Sequence, residues 1–468
     1  MKTPTFNPKA FDVERWERRW EAVKAEIDHM LATMKQQDKT TRQATLRSVL
    51  TALQAFGGDQ IHFFLQGFGP QATVFLEPST LYPPDYALRA TLDQIVHDMS
   101  VIVRAWEQRQ PNLASKLMRQ TLDKADLLAN GALAPAIQHG LLEPATVVTY
   151  FQKDTNVRII PYAPVSFIGL PITCQTVPLD LLAIPHEVGH YVYRYGRVRS
   201  GEHQGSRFDA ALTQRYGGQS PWRQAWMEEI FADVYGGLIG GPVMALGFED
   251  LLSDTPRDEF TYDDGEHPIA ALRLNIYQTV FEVMGIEESV TTALADRATA
   301  WRKEHGNPTT FMTVDGSEVD LAQAQAEMEE IVRSLLTNEL AGVRAKQPWS
   351  GNLGGAVGGN LDTEEVLATL HTQFETMVHN LSTSLANEVT ELQLSEPGDD
   401  GQWMRLQAIQ EEGKDKTVER KVGETDLWID LVKDAVKQHQ NVTLPPRVWM
   451  ALLDGSGWAI EETGGNAH

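Results

Sequence analysis

Seven apolar side chains, Val13, Trp16, Trp20, Val23, Ile27, Met30 and Met34, step alternately by three and four residues through a stretch otherwise rich in Glu, Arg and Lys. Only a helix gathers such a set onto one face, so residues 10–36 are expected to form one with a continuous apolar seam. The seam lasts three heptads, which fits a coiled coil and fits better a helix packed in a bundle. The same period returns near 40–57, 85–108 and 112–130, then at 180–195, 222–240, 267–284, 286–304 and 319–343, and again at 362–389 and 424–440. One stretch breaks the pattern. ATVVTYFQKDTNVRIIPYAPVSFIGLP, from Ala145, is rich in β-branched and aromatic residues with turn formers between them. It predicts three short strands at 146–151, 157–161 and 165–169.

The expected fold class is therefore α+β, mostly helical, with a small β-sheet. Four regions follow: helical 1–140, a core at 141–345, a Gly-rich linker or loop at 346–361, and a helical 362–468 whose two helical patterns are separated by SEPGDDGQ. The uncharged run QPWSGNLGGAVGGN has the composition of a flexible connection.

Charge excludes one class of partner. With 40 basic and 64 acidic side chains the net charge is −24, which argues against nucleic-acid binding, because neutralising phosphates needs clustered Lys and Arg. The single cysteine, Cys174, rules out an internal disulfide and a Cys-rich zinc site; in its apolar run it reads as a small buried hydrophobe. The longest uncharged apolar stretch, Val234 to Phe248, is 15 residues long and broken by Gly-Gly-Pro, too short to span a bilayer. With no signal-peptide pattern at its start, the chain is expected to be cytoplasmic.

The chemistry concentrates in LLAIPHEVGHYVY, residues 181–193. His186 and His190 lie four apart, so a helix presents both imidazoles on one face to one metal ion. Zinc suits two imidazoles, and Glu187, beside the first, can approach a water on the metal as a general base. Pro185 opens the helix or kinks its first turn. Downstream, WMEEIFADVYGG at 226–237 places Glu229 and Asp233 four apart on an apolar helix. A carboxylate is a standard third zinc ligand, and a liganding histidine usually gives its other N–H to a second carboxylate. Glu229 fits the first part and Asp233 the second, with Glu228 as the alternative ligand.

HExxH followed on a second helix by ExxxD resembles the gluzincin clan of zinc metallopeptidases, the thermolysin-like group. The resemblance covers roughly residues 145 to 285 and implies a zincin-like core. In it His186, His190 and Glu229 hold Zn2+, Glu187 is the catalytic base and Asp233 orients a liganding histidine. DDGEHPIAALRLNIY, at 263–277, adds His267-Pro268 and Arg273. This HP-x4-R element is similar to one in the CAAX-prenyl and heat-shock membrane metallopeptidase family of that clan. The similarity implies that His267 stabilises the oxyanion and that Arg273 binds substrate or holds a carboxylate. The plainer alternative is that Pro268 starts a helix and Arg273 is a surface charge.

Two departures stand out. The best-known members of that family span membranes. The gap of 39 residues from His190 to Glu229 exceeds that of thermolysin-like enzymes, and its insert carries five arginines able to cover a cleft. Further candidates for stabilising an oxyanion are Tyr191, His203, Tyr235, Tyr262 and Tyr277. The expected function is a zinc-dependent metallopeptidase acting on a peptide or protein. The alternatives are a helical scaffold with a structural or degenerate zinc site, and a zinc hydrolase of non-peptide amides or esters.

Overall fold

A computed structural model describes residues 11–38, 40–68, 84–199, 204–216, 220–253, 257–343, 349, 363–381, 391–395, 397, 401–409 and 415–422. Four helices come first: α1 (Val13–Gln37), α2 (Thr41–Phe68), α3 (Pro84–Glu107) and α4 (Lys116–Gln138). The seam of α1 packs on α2 and α3 in a bundle, with Trp16, Ile27 and Met34 buried. Local sequence starts these helices: the Asp12 side chain accepts from the Arg15 N–H at 3.0 Å, and Ser115 accepts from the Met118 N–H at 3.0 Å, capping donors that would otherwise be orphaned.

The strands β1 (Thr146–Gln152), β2 (Asn156–Ile159) and β3 (Val165–Pro171) lie where the sequence predicts them and form one sheet in the order β1-β3-β2. β1 runs parallel to β3, with Thr146 opposite Val165, and β2 runs antiparallel to it, with Val157 opposite Ile168. The period of two then divides the side chains. Val148, Tyr150, Val165 and Phe167 join the core built from α1, α2 and α3. Val147, Phe151, Ile168 and Leu170 join a second core with α4 and the helices that follow. Both faces are covered, which explains why these strands read as nearly continuous apolar runs.

A buried polar cluster pins α4 to this sheet. Asp126 accepts from the Thr149 N–H and Oγ1 at 2.8 Å each, and from Arg109 at 2.7 Å.

The second core holds α5 (Ile184–Tyr195), α6 (Phe208–Tyr216), α7 (Pro221–Gly240), α8 (Pro242–Ser253), α9 (Ala270–Met284), α10 (Glu288–Glu304), α11 (Leu321–Thr337) and α12 (Thr363–Asn380). A short 3-10 turn, Pro178–Ala183, leads into α5, and Pro185 sits in its first turn, where a missing N–H costs nothing. The mostly helical α+β expectation is met. No described helix is long and apolar enough to cross a membrane.

Two small sheets have no counterpart in the sequence reading. β4 (Thr310–Met312) and β5 (Glu318–Asp320) form a hairpin; β6 (Leu392–Leu394), β7 (Trp403–Ile409) and β8 (Asp415–Lys421) form an antiparallel sheet. Leu392, Met404 and Leu406 close the core of α1, α2 and α3. The helical pattern at 362–389 is met as far as Asn380, and 382–390 lie outside the described residues. The pattern at 424–440 and, apart from Trp349, the Gly-rich run also lie outside them.

Candidate metal centre

Two helices bring the centre together because glycines let them approach. A Cβ on Gly189 of α5 would lie 2.8 Å from the Cα of Ala232 in α7, and one on Gly236 would lie 3.3 Å from the backbone of His186. At Gly189 no larger residue fits without a shift of the backbone, and at Gly236 the space is tight. The apolar positions of α7 (Ile230, Phe231, Val234, Tyr235) are buried, which turns Glu229 and Asp233 toward α5 and α9.

His186, His190 and Glu229 meet there. Among the described residues they form a group whose ligand atoms all lie within 4.8 Å of one another. The two Nε2 atoms are 3.1 Å apart, His186 Nε2 is 3.4 Å from one Glu229 oxygen, and His190 Nε2 is 3.3 Å from the other. A tetrahedral ion with bonds of about 2.0–2.1 Å needs donor separations of about 3.3 Å. The three separations are of that size, two of them to different oxygens of the Glu229 carboxylate, so the three side chains are close enough to share one ion.

Each histidine is backed by a carboxylate. His186 Nδ1 lies 2.9 Å from Asp233 Oδ1. His190 Nδ1 lies 3.2 Å from Glu228 Oε1. Such partners fix ring orientation and leave the Nε2 atoms to face the ion. Glu228, the alternative ligand in the sequence, thus stands behind the second histidine, and Arg194 grips it with two hydrogen bonds of 3.2 and 2.6 Å. The sequence reading missed this pair. Its signal was Arg194 standing four residues after His190, on the same helix face.

Arg273 enters from α9. Its Nε donates to Asp233 at 2.7 Å, and its Nη2 donates to Asp233 and to Glu229 at 3.0 Å each. It is buried, and of the two roles the resemblance implies for it, binding substrate or holding a carboxylate, its hydrogen bonds match the second. Tyr277, one turn on, donates to Asp233 at 2.9 Å. The Phe248 ring covers both Arg273 and His186, 4.9 and 5.1 Å away.

The electrostatics favour a cation. Burial opposes a charged His186, yet Asp233 and Glu229 outweigh it and raise its pKa to about 10. Burial likewise opposes ionised carboxylates, but His186, His190 and Arg273 hold Glu229 well below the usual range. Arg273 and His186 do the same for Asp233. For Glu228, the His190 hydrogen bond and Arg194 overcome burial. Glu228, Glu229 and Asp233 face two guanidinium groups, Arg194 and Arg273, so carboxylates outnumber guanidiniums around the imidazoles, a setting that favours a bound cation.

Glu187 is buried in the first turn of α5 and makes no hydrogen bond or ion pair among the described residues. His267 is half-exposed on the loop before α9; its Nδ1 meets Asp264 at 2.7 Å and its Nε2 lies 3.6 Å from Glu229. Pro268 precedes α9 by two residues rather than starting it.

The other tyrosines separate. Tyr235 donates to the Ala132 carbonyl at 2.7 Å, away from the centre, and Tyr191 is buried against Tyr195. Tyr262 is exposed, and His203 lies outside the described residues. Of the insert's arginines, Arg194 alone touches the centre's carboxylates among the described residues. Comparison with protein-family models, with curated proteins and with solved structures finds no match.

Proposed function

We propose that the protein is a zinc-dependent metallopeptidase, with a core of the gluzincin kind, that hydrolyses peptide bonds. The observation that carries this reading is the gathering of His186, His190 and Glu229 close enough to share one ion, with a carboxylate behind each imidazole. Two imidazoles and one carboxylate suit zinc and leave a fourth position open, the donor set of hydrolytic rather than structural sites. When bound, Zn2+ polarises a carbonyl and lowers the pKa of a water to about 7.

The protein's own groups do the rest. Glu187, buried beside His186 and without a hydrogen bond or ion pair among the described residues, takes the proton of the attacking water. It then returns that proton to the leaving amine nitrogen. His267, 3.6 Å from Glu229 and half-open to solvent, donates to the carbonyl oxygen as negative charge develops on it. Asp233 and Glu228 hold the imidazoles in their liganding tautomer, and Arg273 keeps Asp233 and Glu229 ionised.

The test is metal analysis of the purified chain by mass spectrometry, together with turnover on a panel of peptide, ester and amide substrates. About one zinc per chain is expected, lost in Glu229→Ala. Glu187→Gln is expected to keep the zinc and lose turnover by about 100-fold or more. Full turnover in Glu187→Gln removes the mechanism. Turnover confined to non-peptide substrates moves the chain to another class of hydrolase.

A further inference from the structure

The loop that carries His267 is built into one unit with the β4–β5 hairpin. Asp263 staples the unit: it accepts from Trp226 Nε1 at 3.0 Å, from the Gly265 N–H at 2.9 Å and from the Val314 N–H at 3.1 Å. Trp226 belongs to α7, just before Glu228 and Glu229, and its ring stacks on Phe311 with centroids 5.5 Å apart. The inner face of the hairpin is thus anchored to the helix that supplies the third ligand.

The outer face sets Met312 opposite Glu318 and Thr310 opposite Asp320, all exposed among the described residues, and two further apolar side chains extend it. Tyr262 bridges to Met312, and Gly265, at φ +82°, brings the loop backbone against Val314. Tyr262, Met312 and Val314 are 63%, 53% and 66% exposed. Large apolar side chains exposed side by side mark a contact surface more often than scattered single ones do. His267 follows Gly265 by two residues in the same tight turn, whose Asp264 side chain accepts from the Glu266 and His267 N–H groups. The apolar shelf therefore runs up to the metal centre.

Its charge selects an occupant. Segments 262–267 and 310–320 hold six carboxylates and no Lys or Arg. Asp264, Glu266, Asp315, Glu318 and Asp320 are exposed around the shelf. We propose that the shelf seats an apolar side chain of a cationic peptide, flanked by Lys or Arg, next to the bond to be cut. Burial of the apolar side chain supplies affinity, and the carboxylate rim supplies attraction and selectivity. The proposal rests on the peptidase reading for its setting, and its test separates the two.

The zinc-loaded full chain carrying Glu187→Gln is titrated with fluorescent ten-residue peptides followed by anisotropy. One peptide carries a single Leu between lysines; in the controls Ser replaces Leu, or Glu replaces Lys. The Leu-Lys peptide is expected to bind about ten-fold more tightly than either control, and added salt is expected to erase the Lys preference alone. Met312→Ser with Val314→Ser is expected to erase the Leu preference and leave zinc content unchanged. Asp315→Lys with Glu318→Lys is expected to erase the Lys preference. Equal affinities for all the peptides, no binding of any of them, or indifference to the shelf variants overturns the proposal. Unmodified enzyme is assayed on the same peptides. Seating without cleavage removes the peptidase and leaves the shelf; cleavage without preference removes the shelf and leaves the peptidase.

Discussion

His190 Nδ1 lies 3.2 Å from Glu228 Oε1 and His190 Nε2 lies 3.3 Å from Glu229 Oε1, so adjacent residues of α7 meet opposite sides of one imidazole in the group that could hold a metal ion. A role for Glu228 in holding the ring gives a graded effect, distinct from loss of a ligand. Glu228→Ala is expected to weaken zinc binding by about 10–100-fold with the fold intact. Competition with a chelator of known affinity measures this. An unchanged dissociation constant would assign Glu228 to the surface pair with Arg194 alone.

Gly189 offers a test in which local propensity and packing pull in opposite directions. In an isolated helix, Gly→Ala gains roughly 1 kcal/mol. Here the new methyl would stand 2.8 Å from the Ala232 Cα, and overpacking a tight crossing costs about 1–3 kcal/mol. Gly189→Ala is therefore expected to lower the Tm and to loosen zinc binding together, because α5 and α7 share both the contact and the ligands. A higher Tm would show that the crossing yields easily.

Glu249 supplies a pH dependence away from the centre. Burial, with Asp250 nearby, pushes its carboxyl up to about 7 against the pull of Arg297 at 2.9 Å. A group whose folded pKa exceeds its unfolded value stabilises the fold below the unfolded value, and that contribution is lost as pH rises through the folded one. The window is pH 4.5 to about 7. Glu249→Gln carries no such titration, so the stability difference between the native protein and the variant is expected to shrink or reverse by roughly 1–2 kcal/mol across it. Paired denaturant titrations at pH 5 and pH 8 read that difference. A constant difference would mean that Glu249 ionises normally.

Much of this was legible because its physics is local. The seam from Val13 to Met34, the three strands and the four-residue spacing of His186 and His190 are each set by a period along the chain. Glu229 and Asp233 were legible for the same reason. Glu228 and Tyr277 were visible as residues but not in these roles, and Arg194 was not singled out, since the partners that define all three lie on other helices. The β4 and β5 strands are three residues each, below the length at which alternation can be seen. β8, DKTVERK, carries charges on both faces, and β7, WMRLQAI, follows a polar break, so their sheet was hidden. Arg273 was visible with two roles left open, and only the carboxylates it meets select between them.

The sheet has a consequence for dissection of the chain. Val147 and Val148, neighbours in β1, belong to different cores, so the strands act as a party wall between two rooms. A fragment beginning near residue 141 would expose Val148, Tyr150, Val165 and Phe167 to water on the face it lost. Truncation at that seam is expected to yield an aggregating product, and the half that carries His186, His190 and Glu229 to be made in usable form only when both halves are present, on one chain or as co-expressed pieces that re-form the wall.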